Sequence, residues 1–389
     1  MCGILGVSGG GLDLVKSANL LLEHRGPDDC GVFVDKLVEI GLGHTRLSIL
    51  DTSSYGHQPM SSKDGKVVLV FNGEIYNFRE LRKNLEENNC KFCGQSDTEV
   101  LLNLYLLEGV EMLSKLNGIF AFAIWDYKNQ SLFIARDGLG VKPLYYSENN
   151  ENFSFASEIK ALLHLTPKNQ ELDKEEINRY LSFLWCPGEG TPLKSIRKLL
   201  PGEAIIVKSG NIVKKWTWYQ LPIFTGISAN LDKNKSISGT IKYLRQAVHR
   251  QMIADVPVGA FLSGGLDSSS IVALAREVDP DIRCFTIDTT GKQDKGVVND
   301  LPYAQKVAKH LDVALDVVSV DSSKIAQDLE YMVTQLGEPL ADPAALNVLY
   351  ISRLAREQGI KVLLSGAGGD DLFTGYRRHY ALQLERYWE

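Results

Sequence analysis

The chain opens on "MCGILGV", and Ile4, Leu5 and Val7 have the apolar character of a buried strand rather than of a frayed terminus. Met1 precedes a small side chain, so its removal is expected. Cys2 would then carry a thiol and a free α-amine on one carbon. The reference pKa of such an amine is about 7.7–8.0, near working pH, so a useful share is unprotonated and can take the thiol proton. A peptide nitrogen could not. One residue thus combines nucleophile and base.

The second stretch with chemical potential is "SGGLDSS", residues 263–269, placed where an apolar strand ends and a helix begins. Gly264 and Gly265 let the backbone approach an anion, and Ser268 and Ser269 add hydroxyl donors. The helix N-terminus supplies free N–H groups and the positive end of the dipole. Asp267 would repel a bare phosphate, which fits a Mg²⁺ ion lying between them. No lysine follows the glycines, so this is not a Walker A loop. An ordinary Gly-rich strand–helix turn is the bland alternative. A second loop, "LLSGAGGDDLFTGY" at 363–376, follows a later strand. Ligands bind beyond the carboxyl ends of parallel strands, so both loops should open on one edge of a sheet. Asp370 and Asp371 could complete a metal site with Asp267, or cap a helix.

The surrounding elements divide the chain in two. The first part is rich in short strands. "KVVLVFNGEIYN" reads as a strand running into a turn at Asn72-Gly73, and "GIFAFAIWDY" and "SLFIARD" as a hairpin around Lys128, Asn129 and Gln130. "NFRELRKNLEENN" and "DTEVLLNLYLLEG" repeat at helical period. A last strand pair, "EAIIVKSGNIVKKWTWYQ", turns at Ser209-Gly210. This order suggests antiparallel sheets covered by helices. "LPIFTGISANLDKNKSIS" has no periodicity and reads as a linker. After it strands and helices alternate, from "VGAFLSGG" to "IKVLLSG", which argues for a parallel sheet with helices on both faces.

Composition narrows the function classes. The chain has 389 residues, 44% hydrophobic and 23% charged, and a net charge of −6 without a long basic run. Nucleic acid and anionic membrane are therefore poor partners. No stretch is long and apolar enough to span a membrane, and no signal peptide is evident. Six cysteines are too few for a disulfide scaffold and suit free thiols in a reducing cytosol. Cys90 and Cys93 form a C-x-x-C with no second pair at zinc spacing, so two thiols at a helix-to-strand junction are expected.

Several segments carry a family resemblance. "SGGLDSS" resembles the pyrophosphate loop of N-type ATP pyrophosphatases. "HRGPDDCG", "HTRLSILD", "FNGEIYNF", "SDTEVL" and "ARDGLGVKPLYY" resemble the class II glutamine amidotransferase domain. Together, in this order, they resemble the glutamine-hydrolysing asparagine synthetases over nearly the whole chain. The resemblance implies an Ntn-hydrolase four-layer αββα domain over 1–219, a linker over 220–236, and a doubly wound parallel-sheet ATP pyrophosphatase domain over 237–389. It implies Cys2 as the nucleophile on the glutamine amide, with Asn72 and the Gly73 N–H as oxyanion hole. Arg46 would pair with the glutamine α-carboxylate. Asp97 and Glu74 would hold its α-ammonium, and backbone groups of Leu47, Ser48, Ile49 and Leu50 would complete the pocket. For ATP it implies Leu262, Ser263, Gly264, Gly265, Asp267, Ser268, Ser269, Ile287, Ser365 and Gly366, with Asp267 and Asp370 as Mg²⁺ ligands. The expected partners are glutamine, ATP and a carboxylic acid, in a cytoplasmic enzyme for which a homodimer is one expected assembly.

Three departures qualify the resemblance. Ala367 stands where these synthetases carry an acid associated with the aspartyl substrate. Amidation of a uronic-acid sugar is therefore an alternative to aspartate, which remains the favoured acceptor. Gly138 replaces a usual arginine. The sequence given stops at Glu389, before a helical region with a lysine that helps adenylation, so the second domain is expected to be incomplete. A nucleotide-sensing pseudo-enzyme that keeps only glutaminase activity is the remaining reading. Other class II amidotransferases would lack "SGGLDSS", and a β-lactam-forming relative would lack the cysteine.

Overall fold

The computed structural model describes residues 1–149, 152–166, 170–222, 232–289, 300–342, 344–382 and 384. The chain forms two compact units, one of residues 1–226 with 335–341, the other of 227–334 with 342–389.

The first unit is built on two six-stranded antiparallel sheets. One runs Arg197–Lys198, Tyr145–Asn149, Asn152–Ala156, Gly3–Ser8, Ile40–Arg46, Asp29–Asp35. The other runs Asn211–Thr217, Glu203–Lys208, Ser131–Arg136, Gly118–Asp126, Val67–Ile75, Met60–Ser61. Side chains alternate across a strand, and that period decides what lies between the sheets. Ala121, Ala123 and Trp125 share a core with Ile4, Ile40, Leu42, Phe153 and Phe155 of the facing sheet. Phe120 and Phe122 take the opposite face, 5.5 Å apart, and Phe122 meets Phe133 edge-on at 5.4 Å. Tyr105 of the helix Asp97–Glu108 stacks on Phe133 from outside. On the other flank Leu5 and Val7 bury against the helices Val15–Leu20 and Ile159–Leu165. The result is the αββα layering expected of an Ntn-type amidotransferase.

Two turn expectations met different fates. Ser209 and Gly210 both take positive φ, 46° and 74°, between the strands Glu203–Lys208 and Asn211–Thr217, which is tight hairpin geometry. Asn72-Gly73 is not a turn. The strand Val67–Ile75 passes straight through it, Asn72 opposite Ala121 and Gly73 opposite Phe120. Glycine is needed there because neighbouring backbone comes close: a Cβ would lie 2.3 Å from the Ile119 carbonyl and 2.7 Å from Phe120 Cα.

The second unit carries a parallel sheet in the order Leu315–Val320, Arg283–Thr289, Val258–Phe261, Val362–Leu364. Ala260, Leu262 and Cys284 bury on one face with Val248, Val272, Ala304 and Ala308 from three helices. Phe261, Phe285 and Ile287 bury on the other with Ile351 and Ala355. Helices thus cover both faces, as the alternating pattern predicted. The helix Lys233–Gln251 starts inside the stretch read as a linker, capped by the Asp232 side chain on Asn234 N. Residues 223–231 of that stretch lie outside the described residues. Among the described residues no helix is long and apolar enough to cross a membrane.

Phe155 is fully buried between the two sheets. Phe155→Ala is expected to destabilise the first unit by about 3–5 kcal/mol, read by urea denaturation followed by tryptophan fluorescence. A loss below about 1 kcal/mol would contradict this packing.

Candidate functional site

Cys2 is held by its own strand. Ile4 donates its N–H to Ser157 Oγ at 3.0 Å, and Ser157 returns its N–H to the Ile4 carbonyl at 2.8 Å. The Cys2 carbonyl accepts from Arg25 Nε at 2.9 Å. Arg25 is fixed in turn by Glu158 at 2.9 Å, a carboxylate that burial would push up but that His24 and Arg25 hold down at about 2; Lys160 reaches its other oxygen at 3.1 Å. The Cys2 thiol faces Leu47, whose N–H points at Sγ from 3.4 Å. Burial pushes that thiol up; the neighbouring amine, the Leu47 N–H, Lys142 and Arg46 pull the other way. The α-amine of the chain as it stands is that of Met1, pulled down to about 5 chiefly by burial.

One cavity gathers most of the residues predicted for this site. Cys2, Arg46, Leu47, Ile49, Leu50, Asn72, Gly73, Glu74 and Asp97 all line it. Ser48 does not; its N–H is spent on Asp28 Oδ2 at 2.8 Å. Asn72 is 1% exposed, yet neither atom of its side-chain amide has a hydrogen-bond partner among the described residues. Its neighbour is placed by strand geometry. In Val67–Ile75 the N–H groups of Phe71, Gly73 and Ile75 point to one edge. Phe71 donates to Gln58 Oε1 at 2.7 Å and Ile75 to Asp97 Oδ2 at 2.9 Å. The Gly73 N–H therefore lies between them on the same edge. Phe120 opposite bonds through both its backbone groups to Asp137, which confirms that Gly73 faces it as a non-hydrogen-bonded pair.

The cavity has a cationic and an anionic wall. The Arg46 guanidinium rests on the carbonyls of Ser53, Leu50 and Asp51. Asp97 opens the helix Asp97–Glu108, with Ser96 Oγ accepting the Glu99 N–H as its cap. Burial pushes the Asp97 carboxyl up to about 6, and burial plus Asp97 pushes Glu74 up to about 7. The two acids thus oppose each other's ionisation in a buried setting.

The sequence reading passed over Lys142. It is 8% exposed, lines the same cavity, and its Nζ lies 3.1 Å from Met1 Sδ. Burial pulls its pKa down, against Glu74 and Cys2. The available signal was a lysine inside the apolar run "GVKPLYY". Gln58 and Thr98 also line the wall and were not singled out. Gly138 turns beneath Tyr219: a Cβ there would lie 2.5 Å from the Tyr219 ring.

The second unit has its own cavity, walled by both Gly-rich loops. Ser263, Gly265, Asp267, Ser268, Ser365, Gly366, Ala367 and Asp370 line it. The helix Leu266–Ala275 points its N-terminus there, and its cap residue Gly265 offers no side chain to the first N–H groups. Asp267 lies against the second loop, where a Cβ at Gly369 would meet its Oδ2 at 2.2 Å. Four predicted residues stand off this wall. Leu262 is core, Ile287 packs on the far face, and Ser269 turns its hydroxyl to the Gly265 carbonyl at 2.6 Å. Gly264, at φ 79°, packs on Tyr303 and Ala304. No group of three or more metal-ligating side chains occurs among the described residues. Asp267 and Asp370 both line this cavity beside the N-terminus of Leu266–Ala275, two oxygen donors of the type a Mg²⁺ would need.

Residues 1–219 match a glutamine amidotransferase domain and residues 240–389 match asparagine synthase. Asparagine synthetase [glutamine-hydrolyzing] 1 of Bacillus subtilis is 37% identical, over 97% of this chain and 59% of its own length. A putative asparagine synthetase [glutamine-hydrolyzing] 2 of Methanocaldococcus jannaschii is 35% identical, over 97% of this chain and 76% of its own. The amidase chyE of Penicillium rubens is 33% identical, over 92% and 54%. The chain thus spans 59% of the length of the Bacillus subtilis relative.

The raised carboxyls make a stability prediction. A carboxyl whose folded pKa lies above its unfolded value costs stability once ionised, so the cost is absent below about pH 4.5 and complete above about pH 7 for Glu74. Glu74→Gln is expected to stabilise the ligand-free first unit by about 1–3 kcal/mol at pH 8, with the gain fading towards pH 4.5. Urea denaturation at both pH values checks this; an equal effect at both would remove the electrostatic cause.

Proposed function

Because the chain belongs to the glutamine-hydrolysing asparagine synthetase family, we propose that its first unit releases ammonia from glutamine at Cys2. Its second unit would use ATP to adenylate a carboxylate that the ammonia then amidates. The observation that carries the first half is the buried, unpartnered amide of Asn72 on the cavity that holds the Cys2 thiol. A polar group left unbonded in the interior costs about 1–3 kcal/mol, and the developing oxyanion of an attacked amide would satisfy it.

In this reading Met1 is removed and the Cys2 amine takes the thiol proton. The sulfur attacks the glutamine side-chain carbonyl carbon. Asn72 Nδ2 and the Gly73 N–H receive the oxyanion. The proton passes from the amine to the departing nitrogen, ammonia leaves, and water resolves the thioester to glutamate. Arg46 would hold the α-carboxylate, while Glu74 and Asp97 would hold the α-ammonium. Bringing that ammonium in would return both acids towards their ionised form.

In the second unit the N-terminal N–H groups of Leu266–Ala275, with Ser263 and Ser268, would cradle the phosphates. Asp267 and Asp370 would hold a Mg²⁺ that neutralises phosphate charge. Aspartate is the favoured acceptor on family grounds. Ala367, which lines the cavity where an acid is expected, favours keeping a uronate as the second reading. An aspartate acceptor would bring an ammonium that needs an acid. Of the two acids in "LGEPLADPAALN", Glu338 is engaged by Lys198 at 3.0 Å and Tyr145 at 3.3 Å in the first unit, which leaves Asp342, whose Oδ1 receives the Ala344 N–H.

Two outcomes are expected. Chain lacking Met1 should hydrolyse glutamine, and Cys2→Ala should reduce this by a factor of about 10³ or more, while free ammonia restores any synthetic activity. Full glutaminase activity in Cys2→Ala would end this reading. For the acceptor, ATP-dependent pyrophosphate release by a full-length form should respond to aspartate. Faster release with a uronic-acid sugar nucleotide, together with a tenfold gain for aspartate in Ala367→Glu, would replace aspartate by the sugar.

A further inference from the structure

The two charged walls of the first cavity come from separate parts of the sequence. One is Arg46 with the loop after it; the other is Asp97 with the loop before it. Two buried side chains tie them: Gln58, whose Nε2 donates to Thr98 Oγ1 at 3.4 Å, and Asp51, which bonds to both loops. Asp51 offers its backbone carbonyl to Arg46 Nη2. One carboxylate oxygen, Oδ1, receives the Ser53 N–H at 3.2 Å and the Ser53 hydroxyl, holding the loop whose Ser53 carbonyl also receives Arg46 Nη1 at 3.0 Å. The other oxygen, Oδ2, receives the Gln95 N–H at 2.6 Å, two residues before Asp97.

The opposite loop is shaped to admit this contact. Glu99 receives the N–H groups of Cys93 and Gly94, each at 2.7 Å, which folds residues 93–96 back over the helix start. A Cβ at Gly94 would lie 2.5 Å from Asp51 Oδ2, so glycine is what lets the carboxylate reach Gln95. Asp51 itself sits at φ 51°, a left-handed position that aspartate tolerates better than most residues. Burial would push its carboxyl up, but Ser53, Gln95 and Arg46 hold it below the usual carboxylate range. It does not line the cavity.

We infer that Asp51 is a positioning residue that sets the distance between the carboxylate-binding and ammonium-binding walls of the site, and so fixes the amino-acid end of the bound substrate. This rests on the glutamine reading above. The chemistry at Cys2 and Asn72 is not attached to Asp51, so its loss should weaken recognition of an α-amino acid rather than the bond-breaking step. Asp51→Asn keeps the shape but turns an NH₂ towards an N–H of Gln95 or Ser53. Gly94→Ala leaves Asp51 intact and displaces its carboxylate instead.

The test uses full-length chain with Met1 removed and three readouts. For both variants KM for glutamine should rise about ten- to a hundredfold with kcat within about threefold of wild type. Inactivation by a diazoketone analogue of glutamine, which must seat its amino-acid end, should slow by the same factor. Alkylation of Cys2 by iodoacetamide, which has no such end, should not change. Unchanged KM and unchanged diazoketone inactivation in either folded variant would overturn the proposal. Equal losses in kcat and in iodoacetamide labelling would also overturn it, because they mean general collapse of the site. A wild-type chain without glutaminase activity that still reacts with iodoacetamide would instead refute the glutamine reading itself.

Discussion

A chain terminus buried inside a sheet is the constraint on which the first unit depends. Strands near an end usually fray, and a side chain one residue from the start would fray with them. Here the strand Gly3–Ser8 lies between two partners, Ile40–Arg46 and Asn152–Ala156, and is fully buried. The Ser157 bonds to Ile4 and the Arg25 bond to the Cys2 carbonyl extend that pairing to the last residues. Arg25 can do this because Glu158, which also bonds His24 and Lys160, stays ionised. Sheet order, helix cover and this ion cluster all serve to hold one thiol still.

That burial has an electrostatic consequence. The same low-dielectric surroundings that fix Cys2 push Asp97 and Glu74 up and pull Lys142, His44 and the terminal amine down. Each shift has burial as its largest cause, which disfavours the charged form. A site of this kind is destabilising in isolation and is tolerated because the sheets around it are well packed. On the proposed glutamine reading, the carboxylate, ammonium and amide of the substrate would meet Arg46, the acid pair and the Asn72 amide.

Much of this was legible in sequence because the signals are local. Strand alternation in "GIFAFAIWDY", the apolar period of Phe78, Leu81 and Leu85, and the Gly-rich loop after "VGAFL" each state their element within about ten residues. What failed was non-local. Asn-Gly is a strong hairpin signal, yet Gly73 is there to let the neighbouring strand's backbone approach. Nothing in "GVKPLYY" says that Lys142 is buried beside a terminus 141 residues away. Asp51 reads as an ordinary loop acid, and its partner Gln95 lies 44 residues on. Glu338 likewise meets Lys198, 140 residues earlier, a pairing that no local pattern states.

The distribution of unsatisfied groups carries the argument one step further. Folded proteins leave few buried polar atoms without partners, and those few usually have a reason. Among the described residues, the Asn72 amide is joined by Arg25 Nη2 and His44 Nδ1. Arg25 holds the Cys2 carbonyl, and His44 Nε2 bonds the Phe71 carbonyl one residue from Asn72. Other buried atoms without a partner lie on Asn19, Trp125, Glu176, Arg276 and His379, so such an atom does not by itself mark this cavity. What singles out Asn72 is that both atoms of its amide are unbonded on a wall that Cys2 also lines.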